Sequence, residues 1–147
     1  MLMTHDQFTK KYNGRFVEFN NDGNKNQCMD LMRQYVKEVY GLDPYKAIPA
    51  APTAKACFNN FKSNKYFTKI LNTPNGIPKQ GDIIFWGTYP GVTGWAGHVA
   101  IYDKGDVYTF ISFDQNYPTG KPCLFVKHGS NKWLHGYRGV LGWLRKT

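Results

Sequence analysis

Apolar positions follow a helical period in the first part of the chain and form short runs in the second part. From Cys28 to Tyr40 they recur about every 3.6 residues, which predicts one amphipathic helix with Cys28 on its apolar stripe. Gly41 supplies a stop signal for this helix, and Pro44 forbids its continuation. The polar loop over residues 18–26 comes directly before the helix, and a short helix is expected ahead of that loop.

A second helix is predicted to begin after Thr53, whose side chain can cap it. Its apolar positions again recur at helical spacing, at Ala54, Cys57, Phe58 and Phe61. Cys57 is therefore predicted to be a core residue.

The second half of the chain has strand character. Short apolar runs, separated by Gly, Pro and Asp, lie at 83–86, 98–102, 107–112, 123–126 and 140–144. A segment rich in turn residues, 72–81, separates them from the helical half. Helices followed by strands are typical of the α+β class, with N-terminal helices packed on a C-terminal antiparallel β-sheet. At 147 residues, the chain is expected to form a single domain over 1–147.

The runs 98–102 and 107–112 are close enough to pair as a hairpin. Side chains alternate between the two faces of a strand, so His98 shares a face with Asp114 only if directly opposed residue numbers add to an even number. We predict a three-residue loop over 104–106, which places His98 opposite Ser112. An odd register would put His98 and Asp114 on opposite faces and exclude a shared site.

Cys28 heads the predicted helix, and a helix N-terminus and a neighbouring imidazolium both lower the pKa of a thiol. It is the candidate nucleophile, and His98 is the candidate base that takes the thiol proton and later protonates the leaving amine. Asp114 or Asn116 would hold the other nitrogen of His98, and the sequence leaves both open. The Cys28 backbone N–H and the Gln27 side chain are the candidate donors to an oxyanion. The alternative is a buried cysteine and a strand histidine with structural roles.

The three cysteines, Cys28, Cys57 and Cys123, are too few and too oddly spaced for a disulfide framework or a zinc knuckle, so reduced thiols are expected. The chain start lacks a secretory signal and no run is apolar enough to span a membrane, so synthesis in the cytosol without membrane insertion is expected. The net charge of +9 favours a polyanion, whether nucleic acid, an acidic membrane or an anionic cell wall. No arginine-rich or aromatic RNA-binding signature accompanies the charge, so no specific nucleic-acid partner is expected.

Four short motifs occur together in the chain: Gln-Cys-Met-Asp-Leu at 27–31, Gly-Asp-Ile-Ile at 81–84, Gly-His-Val-Ala-Ile at 97–101 and Asp-Gln-Asn at 114–116. In order and approximate spacing they resemble CHAP domains, the cysteine- and histidine-dependent amidohydrolases and peptidases. The resemblance extends from about Asn13 to Trp143 and is to the phage-encoded, endolysin-like peptidoglycan hydrolases of that family.

The resemblance implies a papain-like α+β fold and cleavage of an amide bond in bacterial peptidoglycan, either N-acetylmuramoyl-L-alanine or a peptide bond. It implies that Cys28 is the nucleophile and His98 the base, with Asp114 and Asn116 completing the site. Where family members carry Glu at the position that matches Asp114, this chain has the shorter acid, which could lengthen the contact to His98 or transfer the orienting role to Asn116. The implied enzyme is a lysis protein or a virion-associated enzyme that acts at the cell wall, expected as a monomer. The alternative is a non-catalytic wall-binding module with the same fold.

Several phage members also bind a structural calcium ion in the loop before the cysteine. The corresponding oxygens in this chain belong to Glu18, Asn20, Asp22 and Asp30. The alternative is an Asx-rich turn in which Asp30 interacts with the helix dipole. The chemistry itself is expected to need no cofactor.

Aromatic residues near the motifs are candidates for the substrate groove. Trp95 lies shortly before His98, and Tyr117 directly follows Asn116. The other tryptophans, Trp86, Trp133 and Trp143, are predicted at the core or its rim. The remaining histidines, His5, His128 and His135, have no partner pattern and are predicted at the surface.

Overall fold

A computed structural model of the protein describes residues 1–20 and 27–147, and in this part of the chain four helices come before the sheet. The helices are α1 (His5–Tyr12), α2 (Cys28–Glu38), α3 (Pro44–Ala47) and α4 (Ala54–Asn60). The strands are β1 (Phe67–Leu71), β2 (Ile83–Trp86), β3 (His98–Gly105), β4 (Phe110–Asp114), β5 (Leu124–His128) and β6 (Val140–Lys146). They pair in the order β1-β6-β2-β3-β4-β5, and every pair is antiparallel. The predicted α+β class is confirmed.

Helix α2 begins at the residue that the apolar stripe predicted. The Asp30 carboxylate, in its first turn, accepts the backbone N–H of Gln27 at 2.9 Å, which satisfies a donor at the helix start. Leu31 and Val36 are fully buried, and the helix packs against β3. The helix ends at Glu38, two residues earlier than the stripe suggested, because Val39 is already its C-cap.

Helix α4 confirms the predicted cap and the predicted core cysteine. Thr53 Oγ1 accepts the Ala56 N–H at 3.0 Å, and Cys57 is buried. The connection before it contains a helix that was not predicted, α3, which begins at Pro44. Asp43 accepts the N–H of Tyr45 at 3.0 Å as the N-cap of α3, so Pro44 opens a helix of its own after α2 has already ended.

The edge strand β1 was also not predicted. Phe67 is buried at its start and Leu71 is exposed at its end, with Thr68 and Lys69 between them, so the strand lacks a clear apolar run. It forms because it pairs with the C-terminal strand, Phe67 opposite Lys146.

The register of β3 and β4 has the predicted parity near the site, but the predicted loop is wrong. Tyr102 lies opposite Ser112, and Ile101 opposite Phe113, so opposed numbers add to an even value there. His98 therefore shares a face with Ser112 and Asp114, as the site requires. The pairing of Ser112 is four residues further along β3 than predicted, because β3 continues to Gly105 through a bulge between Tyr102 and Lys104.

The two faces of the sheet have different contents. The helix side buries Ile83, Phe85, Val99, Ile101 and Phe113. The opposite side buries Ile84, Trp86, Ala100, Tyr102 and Phe110. On this second face, at one end of the sheet, four buried polar residues replace the apolar ones: His98, Ser112, Asp114 and His128. The polar cluster lies at the end of the sheet that Cys28 meets from the helix side.

Among the described helices, none is long and apolar enough to cross a membrane.

Candidate active site

Cys28 occupies the first position of α2, where the partly buried residue lines a large open cleft. The thiol is hydrogen-bonded to His98, the first residue of β3. Two residues distant in sequence are thus in contact, because α2 packs across β3.

His98 is buried, and its ring is held on both sides by aromatic rings. Tyr117 stacks on it at a centroid distance of 4.7 Å, and Trp86 lies at 5.1 Å. The preceding residue must be glycine, because Gly97 has φ of +74° and a Cβ there would lie 2.3 Å from the Trp86 backbone oxygen. Backbone and rings together fix the direction of the imidazole.

Asp114 makes the direct contact with His98 that the sequence left open between two residues. Its Oδ2 lies 2.7 Å from His98 Nε2, and its side chain is fully buried. Because Nε2 is engaged by the carboxylate, Nδ1 is the ring nitrogen that serves the contact with Cys28. The shorter acid therefore reaches His98 at normal hydrogen-bond length and needs no help from Asn116.

The electrostatics of the pair favour charge on both members. Burial disfavours the imidazolium of His98, but hydrogen bonds with Asp114 and Cys28 outweigh it and raise the pKa to about 9. Burial also disfavours the Asp114 carboxylate, but hydrogen bonds from His128 and His98 outweigh it and lower the pKa to about 2. Asp114 is therefore an ionised acceptor that can stabilise a positive imidazole.

Among the described residues, Asn116 forms its side-chain hydrogen bonds with Gln27 and Gly120 and forms none with His98. Its Nδ2 donates to Gln27 Oε1 at 3.2 Å, and its Oδ1 accepts the Gly120 N–H at 2.6 Å. Because Gln27 Oε1 accepts this bond, Gln27 Nε2 is the atom of the same amide group that can donate a hydrogen bond. Asn116 thus acts on the candidate oxyanion donor and not on the candidate base.

Gln115, which the sequence reasoning left without a role, fastens the segment before Cys28 to the end of β4. Its Oε1 accepts the Val17 N–H at 2.6 Å, and its Nε2 donates to the carbonyls of Val17 at 2.9 Å and Gln27 at 2.8 Å. The side chain is fully buried. Its position inside the Asp-Gln-Asn motif could have indicated such a role, because a buried glutamine side chain needs hydrogen-bond partners and the backbone commonly supplies them.

The surface prediction for the histidines is wrong for two of them. His128 is buried and bonded within the site, with Nε2 2.8 Å from Ser112 Oγ. His5 is buried far from it, between Tyr35 at 2.9 Å and Asp103 at 2.8 Å. Both side chains find partners through the fold, which no local sequence pattern revealed.

The cleft over Cys28 and His98 has a volume of about 940 Å³. One wall is the loop 91–97, which carries Trp95 with 77% of its surface exposed, and the other walls come from residues 50–54 and 116–119. Both aromatic groove candidates, Trp95 and Tyr117, therefore line the cleft. Trp86 and Trp143 are core residues as predicted, but Trp133 is 82% exposed, so its assignment to the core or rim is wrong.

The candidate calcium ligands are only partly assembled in the described residues. Asp22 lies outside the described residues. Asp30 accepts two backbone N–H groups, from Gln27 at 2.9 Å and Phe19 at 3.3 Å, which is the capping arrangement of the alternative interpretation. Asn20 donates to the Tyr45 hydroxyl at 2.9 Å. Glu18 Oε1 is buried without a hydrogen-bond partner among the described residues, and it is the one observation here that suits a cation.

Within residues 1–20 and 27–147 no group of three or more His, Cys, Asp or Glu side chains is placed to hold a metal ion.

Comparison with solved structures finds the same fold in two proteins. The endolysin LysIME-EF1 superimposes with a TM-score of 0.70 at 22% sequence identity, over 99% of this chain and 64% of that one. Ly7917 superimposes with a TM-score of 0.66 at 17% identity, over 98% of this chain and 62% of that one. The chain thus spans less than two thirds of the length of either protein. No curated protein matches its sequence.

The family comparison covers the part of the chain that builds the site. The family model of the CHAP domain matches residues 19–116, from the loop before Cys28 to Asn116. Fold, motif order and the contact of Cys28 with His98 agree with this match, and the protein belongs to the CHAP domain family.

Proposed function

We propose that this protein is a peptidoglycan hydrolase that cleaves an amide bond with Cys28 as nucleophile and His98 as base. The observation that carries the proposal is a continuous chain of contacts. Cys28 is hydrogen-bonded to His98, and both residues line an open cleft. His98 Nε2 lies 2.7 Å from the buried carboxylate of Asp114. Nucleophile, base and orienting acid in this order are the arrangement that acyl transfer requires.

In the proposed first half-reaction, His98 Nδ1 takes the proton of the Cys28 thiol as sulfur attacks the carbonyl carbon of the scissile amide. The resulting oxyanion is stabilised by the Cys28 backbone N–H and the Gln27 side-chain amide. His98 then gives its proton to the amine, the carbon–nitrogen bond breaks, and the amine leaves. The acyl group stays on Cys28 as a thioester.

In the second half-reaction, His98 takes a proton from water, and the hydroxide formed attacks the thioester carbonyl. The carbon–sulfur bond breaks, the carboxylic acid product leaves and gives its proton to solvent, and the proton held by His98 returns to sulfur. Every group that moves a proton or makes a bond belongs to the protein or to water, so we propose that no metal takes part in the chemistry. Asp114 stays ionised throughout and stabilises the imidazolium.

The proposed substrate is bacterial peptidoglycan, which is also what the name endolysin implies for the structural neighbour LysIME-EF1. The net charge of +9 favours approach to an anionic cell wall. A phage lysis enzyme or a virion-associated enzyme is the setting we propose. The bond cleaved is either N-acetylmuramoyl-L-alanine or a peptide bond, and mass spectrometry of digested walls distinguishes a new muramic acid lactyl end from a new peptide end.

The decisive test compares wild-type protein with Cys28→Ala and Cys57→Ala on purified cell walls. We expect wild-type protein and Cys57→Ala to release new ends and Cys28→Ala to release none. Hydrolysis by Cys28→Ala at the wild-type rate would exclude the mechanism. Wall binding without cleavage by wild-type protein would favour the alternative, a non-catalytic wall-binding module.

A further inference from the structure

A second imidazole, that of His128, lies next to the Asp114 carboxylate. His128, the last residue of β5, is buried, and its Nε2 lies 2.8 Å from Ser112 Oγ and 3.4 Å from Asp114 Oδ2. Ser112 is fully buried in β4, on the same face as Asp114, and bonds to Asp114 Oδ1. His128, Ser112 and Asp114 therefore continue the line that begins at Cys28 and His98.

The hydrogens of this line can be assigned by counting donors. A serine hydroxyl carries one hydrogen, and Ser112 donates it to the Asp114 carboxylate, which when ionised can only accept. Since that hydrogen is committed, Ser112 Oγ can only accept from His128. His128 must therefore carry a hydrogen on Nε2.

The same count fixes the tautomer of His98. Its Nε2 faces Oδ2 of an ionised carboxylate, so this nitrogen also carries a hydrogen. In its neutral form, His98 then has its lone pair on Nδ1, the nitrogen that serves Cys28. Donors from two imidazoles thus converge on Asp114. His98 Nε2 donates directly at 2.7 Å, whereas His128 Nε2 acts through Ser112 and also lies 3.4 Å from the same Oδ2.

The ring of His128 is packed as tightly as the ring of His98. Phe110 stacks on it at 4.8 Å, Trp86 lies at 4.9 Å and Tyr117 at 5.4 Å. Trp86 and Tyr117 contact both imidazoles. The aromatic residues therefore hold two histidines in fixed orientations around one carboxylate.

A fully buried carboxylate is costly unless hydrogen bonds replace its lost water. Asp114 is fully buried, and the interactions recorded for it involve His98, Ser112 and His128. If the donor from His128 is removed, Asp114 binds a proton more readily and stabilises the imidazolium of His98 less well. The loss would affect the chemical step and not the cleft that binds substrate.

We infer that His128 is a positioning residue of the hydrolase. It donates a hydrogen bond to Ser112, which donates to Asp114, and this relay keeps Asp114 ionised and directed at His98. The inference rests on the proposed function for its effect on rate, whereas the hydrogen assignment follows from the hydrogen bonds around an ionised Asp114.

Substitution at His128 tests the rate effect. Gln carries an amide nitrogen the same number of bonds from Cβ as His Nε2, so His128→Gln keeps the donor, whereas His128→Phe keeps the aromatic packing and loses the donor. We expect His128→Phe to lower kcat about tenfold, with KM within about twofold of wild type. His128→Gln should keep at least about a third of wild-type kcat, because it restores the bond. His135→Phe, on the loop after β5, is the matched control and should leave kcat unchanged.

Wild-type kcat for His128→Phe would overturn the inference, and so would equal losses in the Phe and Gln variants, because the donor would then not matter. If wild-type protein hydrolyses no cell wall, the proposed function fails and the hydrogen assignment is still tested by spectroscopy.

Nitrogen-15 NMR of Cys28→Ala reports the hydrogens directly, without turnover and without any change at His128. We expect His128 Nε2 to carry a hydrogen. A His128 Nε2 without a hydrogen would overturn the relay, and this measurement decides the question even if His128→Phe does not fold.

Discussion

Asp114 Oδ2 lies 2.7 Å from His98 Nε2, on neighbouring strands that place both side chains on one face of the sheet. This contact makes Asp114 the candidate orienting acid of the site. The other ring nitrogen of His98, Nδ1, is then the one that serves Cys28. The reach is sufficient because β3 and β4 are directly paired.

The first prediction concerns this contact. Asp114→Asn should lower kcat by about 10²–10⁴-fold, because an amide neither stabilises the imidazolium by charge nor fixes the tautomer with Nε2–H. KM should change little, since Asp114 is buried beneath the cleft. Rates of peptidoglycan digestion at saturating and limiting wall concentrations separate the two constants. A loss confined to KM would contradict the assigned role.

The second prediction concerns Gln27 and Asn116. Gln27→Ala should lower kcat by about 10²-fold through loss of an oxyanion donor. Asn116→Ala should lower it less, because Asn116 acts by holding Gln27 Oε1. In the double variant the two losses should not add, since both remove the same donor. Additive losses would show that Asn116 acts on the reaction by another route.

The third prediction concerns the groove. Trp95→Ala should raise KM about threefold to tenfold and leave the melting temperature unchanged, because its exposed ring contributes contact area to a ligand but little to the core. Trp133→Ala is the matched control, since Trp133 is equally exposed but does not line the cleft. Equal effects of the two substitutions on KM would remove Trp95 from the groove.

The fourth prediction is a pH window of stability. The pKa of Asp114 is lowered from 3.8 to about 2, so its contribution to stability is complete above pH 3.8 and is lost as pH falls towards 2. The pKa of His98 is raised from 6.5 to about 9, so its contribution is complete below pH 6.5 and is lost as pH rises through 9. Both contributions are complete together between these limits.

Thermal melting from pH 2 to pH 10 measures the window. The difference in melting temperature between wild-type protein and Asp114→Asn should be largest between about pH 4 and 6.5 and should shrink on both sides. A difference that stays constant across the range would mean that the two groups are not coupled in the folded protein.

The fifth prediction concerns metal. Removing calcium with a chelator should leave kcat within about twofold of its value in added calcium, because the proposed proton transfers use only His98, Cys28 and water. Calorimetric titration of wild-type protein and Glu18→Gln with calcium tests the loop separately. Binding that is lost in Glu18→Gln would assign a structural ion to this loop, and loss of kcat on chelation would contradict a metal-free reaction.

The sequence predicted the candidate site residues better than it predicted the strands of the sheet. Cys28 and His98 could be predicted because each lies at the start of a strongly patterned element, and the helix and strand begin where the pattern begins. The strand β1 could not be predicted, because Thr68 and Lys69 obscure its apolar side and its partner, β6, is at the far end of the chain. Strand pairing between distant segments depends on the fold and leaves little local signal.

The β-bulge shows the same limit. The parity that places His98 and Asp114 on one face followed from side-chain alternation, but the offset did not, because the bulge between Tyr102 and Lys104 moves the turn. An extra residue in one strand changes which residues are opposite, and neither composition nor spacing marks it.

Local pattern thus determined the class of the fold, the candidate nucleophile at the helix start and the candidate base at the strand start. Only the tertiary structure decided that Asp114, and not Asn116, contacts His98. It also brought Gln115 to the segment before Cys28 and placed His128 next to the Asp114 carboxylate. These choices depend on which side chains meet across strands and between helix and sheet. Periodicity sets the face on which a residue lies, but the partner that it meets there is set by the packing of segments far apart in the chain.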